Sequence, residues 1–197
     1  MNARTIPVTS DSLLLATEIQ KKVPGFHTYH HILLDIAGLF SDKKINYVEI
    51  GCYAGASACL MVQRKNTNVY AIDRGKPVAK RVAVKNVAAY NKHKNRFFYI
   101  EENSNSRMAL YKLKQQLQGK TIDILFIDGS HKFEDVIADF RIYSKLVAPG
   151  GFIVFDDYDD QRYSPQVKKA VDFLSETDFS GYYIFERTKN EFIIRKK

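Results

Sequence analysis

The sequence predicts a doubly wound α/β fold, a mostly parallel seven-stranded sheet with an antiparallel hairpin at its C-terminal end. Three observations lead there. Short β-branched or apolar runs alternate with stretches of helical period along most of the chain. The apolar runs are nearly continuous, as in strands covered by helices on both faces. The last two runs are separated by only four residues, as in a hairpin. With 197 residues, 45% of them hydrophobic and 26% charged, the chain is long enough to bury a core without staples. We expect one domain over residues 1–197, with an N-terminal helical cap over 1–43 and an α/β core over 44–197.

In the cap, residues 11–20 and 29–40 have helical character, and Pro24-Gly25 breaks them apart. Residues 45–50 form the first expected strand, ending at Gly51, and residues 69–73 the second, closed by Arg74-Gly75. Val78, Ala79, Val82, Ala83 and Val87 make a helical stripe after it. Residues 97–100 are the third strand, and residues 122–127 the fourth, ending at Asp128-Gly129. Phe133, Val136, Ile137, Phe140 and Tyr143 recur at helical spacing, which predicts a helix over 132–146. Pro149-Gly150-Gly151 should break that helix and start the fifth strand, 151–155. Residues 181–186 and 191–195 form the hairpin around Arg187, Thr188, Lys189 and Asn190.

Composition excludes several classes. No run approaches 18 continuous apolar residues, so no membrane span or membrane partner is expected. Residues 1–16 lack the basic head and apolar block of a secretory signal. Cys52 and Cys59 have the spacing of one helix face rather than of a metal clip, which reads as a reduced, cytoplasmic protein. The net charge of +8 is unevenly spread. Residues 61–100 hold ten basic residues against Asp73 alone, whereas residues 121–160 hold nine acids against three bases. The basic window reads as a solvated helix face. No nucleic-acid motif accompanies it, so nucleic acid is not the expected partner.

The loop Glu49-Ile50-Gly51-Cys52-Tyr53-Ala54-Gly55-Ala56-Ser57 joins a strand to a helix. Glycines allow a tight turn and close approach to a ligand. The spacing lacks the third glycine of a diphosphate cradle, which disfavours a nicotinamide cofactor. Glu49 is ill placed beside a phosphate but suits an amine. Asp73, at the end of the second strand, can accept both hydroxyls of a ribose. Ser57 is placed either to cap the helix or to touch a ligand. This arrangement resembles the class I S-adenosylmethionine-dependent methyltransferases over residues 45–195, and implies their Rossmann-like fold. Their acid-x-G-x-x-x-G motif is matched by Glu49, Gly51 and Gly55, and their second-strand acid by Asp73. The resemblance implies that the loop passes the methionine part of the cofactor and that Asp73 holds the ribose. It also places Asn103 and Ser104, after the third strand, near the adenine, with Asn103 where the family often has Asp.

Asp128 ends the fourth strand, and Asp156 and Asp157 end the fifth. If these strands are neighbours, the three carboxylates converge on the ligand crevice. Crowded carboxylates repel unless a proton or a cation intervenes, and oxygen-only ligands favour Mg²⁺, Mn²⁺ or Ca²⁺. Such an ion can grip and acidify a substrate hydroxyl. The segment 124–157 is similar to metal-dependent O-methyltransferases acting on macrolide sugars and to their rhamnosyl-methyltransferase relatives. It is more distantly similar to catechol-type O-methyltransferases. The likeness implies that Asp128, Asp156 and Asp157 bind the metal and that Asp128 also lies near the cofactor's methionine end. It implies that His131 is the catalytic base, in the position where catechol-type enzymes carry lysine. Imidazole chemistry suits that role, because its ordinary pKa lies near neutrality.

The acceptor side is less defined. His27, His30 and His31 lie in a ring-rich run, 25–31, that reads as helix-start packing, as metal ligands or as a lid over the site. Tyr158 and Tyr163 are candidates to line an acceptor pocket, and Asp159 and Asp160 read as solvated loop residues. A chain of this length has little room for a recognition domain, so a small-molecule or glycan acceptor is expected, or a second copy that helps frame the site. The reading is a Mg²⁺-dependent O-methyltransferase using S-adenosylmethionine, with a sugar or other small hydroxyl as acceptor. Its alternatives are a metal-independent methyltransferase on an anionic acceptor such as RNA, and a non-catalytic cofactor-binding protein of the same fold.

Overall fold

The structure is a computed structural model, and it describes residues 6, 9–25, 27–75, 77–188 and 190–197. Phe26, Lys76 and Lys189, and the side chain of Val78, lie outside that description.

Seven strands form one sheet: β1 (Ile45–Ile50), β2 (Thr67–Asp73), β3 (Phe97–Glu101), β4 (Ile122–Ile127), β5 (Val147–Phe155), β6 (Tyr182–Arg187) and β7 (Phe192–Lys196). Their order is β3-β2-β1-β4-β5-β7-β6, parallel from β3 to β5 and antiparallel at β7 and β6. Strand order reverses between β1 and β4, and in such sheets ligands bind beyond the carboxyl ends at that switch point.

The helices are α1 (Ser10–Gln20), α2 (Ile32–Gly38), α3 (Ala56–Met61), α4 (Pro77–Tyr90), α5 (Arg107–Leu117), α6 (Phe133–Tyr143) and α7 (Pro165–Thr177). Side chains alternate along a strand, so each central strand feeds two cores. Tyr47, Phe126, Phe152 and Val154 pack with α1, α2 and α3 on one face. Val48, Leu125, Ile153 and Phe155 pack with α5, α6 and α7 on the other. The two cap helices thus share a core with the sheet: Ile19, Leu33 and Ile36 are all fully buried there.

Three expectations shift. Helix α6 stops at Tyr143, and a 3₁₀ turn, Ser144–Leu146, leads into β5 at Val147. Pro149-Gly150-Gly151 therefore lies inside an irregular first half of β5, where the register with β4 slips between Ile122 and Ile124. Proline and glycine are tolerated at such a bulge. Cys59 is in α3, but Cys52 is in the loop before it, so the two do not share a helix face; both are free and buried. The hairpin pairs Arg187 with Phe192, which moves its four-residue loop on by one position.

Charge, too, is placed differently from its distribution in sequence. Asp123 sits at the far end of β4, where it accepts hydrogen bonds from Lys43 Nζ and the Asn46 amide, both at 2.8 Å. On α4, Arg81 and Lys85 are exposed, while Lys80 pairs with Glu101 at 3.1 Å.

Candidate active site

The ladder of the sheet continues past the strand ends and sets the site's level. The Gly51 amide donates to the Ile72 carbonyl at 2.9 Å, Asp128 to Ile50 at 2.8 Å and Asp156 to Ile127 at 3.0 Å. A cavity of about 420 Å³ opens above these three residues, within the usual range of small-molecule sites. Its wall includes Gly51, Ser57, Asp73, Asn103, Ser104, Asp128, His131, Asp156 and Asp157. The sequence motifs and the family resemblance drawn from them name each of these residues.

Gly51 has φ +86°, and a Cβ there would lie 1.8 Å from the carbonyl oxygen of Asp128. Only glycine lets the turn after β1 pass so close to the end of β4. Gly55 has φ +79° and packs against Ala83 of α4, so it serves helix packing and does not line the cavity. Asp73 Oδ2 accepts the amides of Cys52 and Tyr53 at 2.7 and 2.8 Å, and Oδ1 accepts that of Gly75 at 2.7 Å. The acid thus braces the glycine loop from the cavity wall.

Glu49 stands behind the cavity wall, and Ser57 is on it. Glu49 is fully buried beneath the loop and is not part of the cavity wall. Tyr47 and Ser57 donate to its Oε2 at 2.9 and 2.7 Å. Burial pushes its carboxyl up to about 7, against the hydrogen bonds that it accepts. Ser57 lies inside α3 and spends its hydroxyl on Glu49, so it caps nothing; Gly55 occupies the cap position.

Asp128, Asp156 and Asp157 converge, but not as one set. Two groups of potential ligand atoms form, each within 4.8 Å: His30 with Asp128 and Asp156, and Asp128 with His131 and Asp157. The reason is the strand. Successive residues leave it on opposite faces, and Asp157 turns further at φ +55°. Asp156 therefore faces the cap, where His30 Nε2 meets its Oδ2 at 3.0 Å. Asp157 faces the start of α6, where His131 Nε2 lies 3.3 Å from its Oδ2 and 4.0 Å from Asp128 Oδ1.

The electrostatics reflect this crowding. Burial first, and then Asp156, push the Asp128 carboxyl well above the usual range; His30 opposes and Asp157 adds. Asp157 is raised by burial and Asp156, with His131 and Ser164 opposing. Burial disfavours a charged His30, yet Asp156 outweighs it and lifts the imidazole to about 9. Burial and Asp156 also raise Glu191 to about 8. Even with His30, the pocket holds more acid than base. Asp156 Oδ1, moreover, is buried with no hydrogen-bond partner among the described residues. An orphaned carboxylate oxygen in an acid-rich wall fits a bound cation.

His131 does not cap α6; Lys132 holds that position. Its Nδ1 lies 2.7 Å from Ser164 Oγ, which also donates to Asp157 Oδ2 at 3.1 Å. Ser164 is 1% exposed and had no motif to mark it. Asp135 was missed as well: on the cavity wall, it accepts from Ser130 Oγ at 2.6 Å and Asn105 Nδ2 at 2.9 Å. Of the three histidines, His31 pairs with Asp35 at 2.9 Å, His27 stacks on Tyr29 at the cavity wall, and only His30 enters the acidic cluster. The tyrosines miss the cavity. Tyr158 is buried and donates to Asp172 at 2.6 Å, and Tyr163 is exposed beside Arg162. Asp160 caps its own loop, accepting the amides of Arg162 and Tyr163.

No helix among the described residues is long and apolar enough to cross a membrane. The methyltransferase-domain family pattern matches residues 48–158, more than half of the chain. An uncharacterized protein, R132 of Acanthamoeba polyphaga mimivirus, is 39% identical over 163 residues, covering 80% of this chain and 72% of that one. The S-adenosylhomocysteine-bound methyltransferase PaMTH1 of Podospora anserina superposes with a TM-score of 0.68 at 17% identity, over all of this chain and 91% of that one. MycE of the mycinamycin biosynthetic pathway, in complex with Mg and S-adenosylhomocysteine, gives 0.68 at 17% identity over 95% of this chain and 55% of its own. The chain therefore belongs to the family of methyltransferase domains and has the fold of the S-adenosylmethionine-dependent class I enzymes.

Proposed function

We propose that this methyltransferase transfers a methyl group from S-adenosylmethionine to a hydroxyl of a sugar or other small acceptor, with a divalent cation at the acidic cluster. The observation that carries this reading is His131 Nε2 at the cavity wall, 3.3 Å from Asp157 and 4.0 Å from Asp128. That places an imidazole where a hydroxyl held at the cluster can give up its proton. The cofactor supplies an electrophilic methyl, and the cation supplies charge that lowers the acceptor's pKa.

The chain's own residues divide the remaining work. Gly51 leaves room for the cofactor's methionine portion, and Asp73 takes the ribose from a position braced by loop amides. Asn103 and Ser104 border the adenine end. Asp128 holds the acceptor side of the cluster, with Asp156 and Asp157 on its flanks. Ser164, which donates to Asp157, meets Nδ1 of the His131 ring and so keeps Nε2, the proton-accepting atom, toward the cavity. A surrounded cavity wall and fixed groups provide mainly positioning, which is a large part of what a transfer of this kind requires.

The test pairs calorimetry with a transfer assay. Titration with S-adenosylhomocysteine is expected to show binding, and titration with NAD none. Incubation with S-adenosylmethionine and a panel of sugars and catechols is expected to yield a singly methylated product by mass spectrometry, and EDTA should stop it. No binding of S-adenosylhomocysteine overturns the reading as a whole; full activity in EDTA removes the cation from it.

A further inference from the structure

The carboxylates that lie close in sequence are split in space, and one of them, Asp156, meets an imidazole nitrogen from 126 residues away. His30 sits in the 3₁₀ turn Thr28–His31, and its ring stands edge-on to Phe126 of β4 at 5.4 Å. His30 is 2% exposed and Asp156 4%. Their facing atoms, Nε2 and Oδ2, are 3.0 Å apart, and a carboxylate oxygen of Asp128 completes a triangle within 4.8 Å. Two ligand atoms bound at a right angle to one ion at about 2.1 Å are themselves about 3 Å apart. An ion can therefore bridge the pair without moving either residue. Asp156 Oδ1 independently points to a ligand, since it is buried, belongs to a residue of the cavity wall and has no hydrogen-bond partner among the described residues.

We propose that the chain holds its divalent cation at His30, Asp128 and Asp156, one imidazole nitrogen and two carboxylates, and therefore selects Zn²⁺ or Mn²⁺ over Mg²⁺. This rests on the reading of the acidic cluster as a metal centre and names its ligands and its metal. Imidazole suits zinc and its transition-metal neighbours, whereas magnesium prefers oxygen and retains its water. The ion takes the place of the proton that His30 and Asp156 share. The outer group, Asp128, His131 and Asp157, is the rival location. An ion there binds Nε2 of His131, whose Nδ1 already meets Ser164 at 2.7 Å, and leaves the ring no atom with which to accept a proton. An ion in the inner group keeps Nε2 free. It also ties the N-terminal cap to the reacting end of the sheet, because one ligand comes from the cap and two from the strand ends.

The probes are ZnCl₂, MnCl₂ and MgCl₂, titrated singly into the full chain. Calorimetry is expected to give one site, with Zn²⁺ and Mn²⁺ bound at least about tenfold more tightly than Mg²⁺. Pulsed electron paramagnetic resonance of the Mn²⁺-loaded chain should show coupling to an imidazole nitrogen. That coupling should persist in His131→Asn and vanish in His30→Asn. His30→Gln, read by the same signal and by its melting curve, covers the case in which the Asn variant does not fold. Coupling that vanishes in His131→Asn and survives in His30→Asn overturns the proposal, as does a preference for Mg²⁺. Titration with S-adenosylhomocysteine in the same samples separates the two readings. Nucleoside binding without metal binding overturns the metal site and leaves methyl transfer standing. A His30-dependent metal signal without nucleoside binding does the reverse.

Discussion

The two walls of the cavity are made of different material. At the ends of β1 and β2 the wall is largely backbone: Gly51 passes the end of β4, and three main-chain amides converge on Asp73. At the ends of β4 and β5 it is side chain, with carboxylates and imidazoles neutralising one another in pairs. A backbone wall has the shape of a small set of turns and is rigid once folded. A side-chain wall can be assembled from anywhere in the chain, and its protonation is open to its neighbours. The first suits a constant group such as a nucleoside cofactor, and the second suits chemistry.

The most severe way to break the contrast is to remove the residue shared by both histidine–carboxylate groups. Asp128→Asn should lower transfer by about 10⁴-fold or more, since it disturbs the cation side and the base side together. Affinity for S-adenosylhomocysteine, measured by calorimetry, should change far less if the backbone wall acts independently. His131→Asn should cost about 10²- to 10⁴-fold in kcat, the usual range for a general base. Its effect should show in kcat rather than in cofactor binding.

This division also decides what was legible in the sequence. Strands β1, β2 and β4 could be read because they are apolar runs buried on both faces. The glycine loop could be read because Gly51 and Gly55 stand at positive φ, where few other residues go. Asp128, Asp156 and Asp157 could be placed because strand ends are easy to find. That His30 pairs with Asp156, and that Ser164 joins His131 to Asp157, could not be read. His30 and Ser164 reach the cluster through tertiary packing, from 126 residues before Asp156 and from 33 residues beyond His131. No spacing rule joins residues on separate elements. Glu49 is the converse case: its motif position is easy to find, but it is buried within β1, where it accepts a hydrogen bond from Ser57 of the cavity wall.

The backbone wall can be broken by one methyl group. Gly51→Ala places a Cβ on the Asp128 carbonyl oxygen at a positive φ, so both strand ends must separate. A loss of about 3–4 kcal/mol of stability is expected, read as a lowered denaturation midpoint. Gly55→Ala meets Ala83 atoms at 3.1 Å, a milder conflict, and should cost about 1–3 kcal/mol.

The smallest effect is expected where the walls are buttressed from behind. Asp139 of α6 is 1% exposed and lies behind Gly129, whose Cβ position is 3.7 Å from its Oδ2. Burial lifts its carboxyl from 3.8 to about 7, with the Ser104 hydroxyl opposing and Asp135 adding. A folded-state pKa above the unfolded one means that the folded chain holds the proton more tightly. The stability linked to that proton is complete below about pH 4 and is lost as pH rises through about 7. Glu49 and Glu191, raised to about 7 and about 8, and His30, raised to about 9, push in the same direction. The parent chain should therefore melt progressively lower between pH 5 and pH 9. Asp139→Asn replaces the protonated acid with a neutral amide of the same shape. It should change little at pH 5, gain about 1–2 kcal/mol at pH 8 and make the decline between them shallower. A variant whose melting falls with pH as steeply as the parent's means that Asp139 is already ionised in the fold. The wall above it is then held by charge rather than by a buried proton.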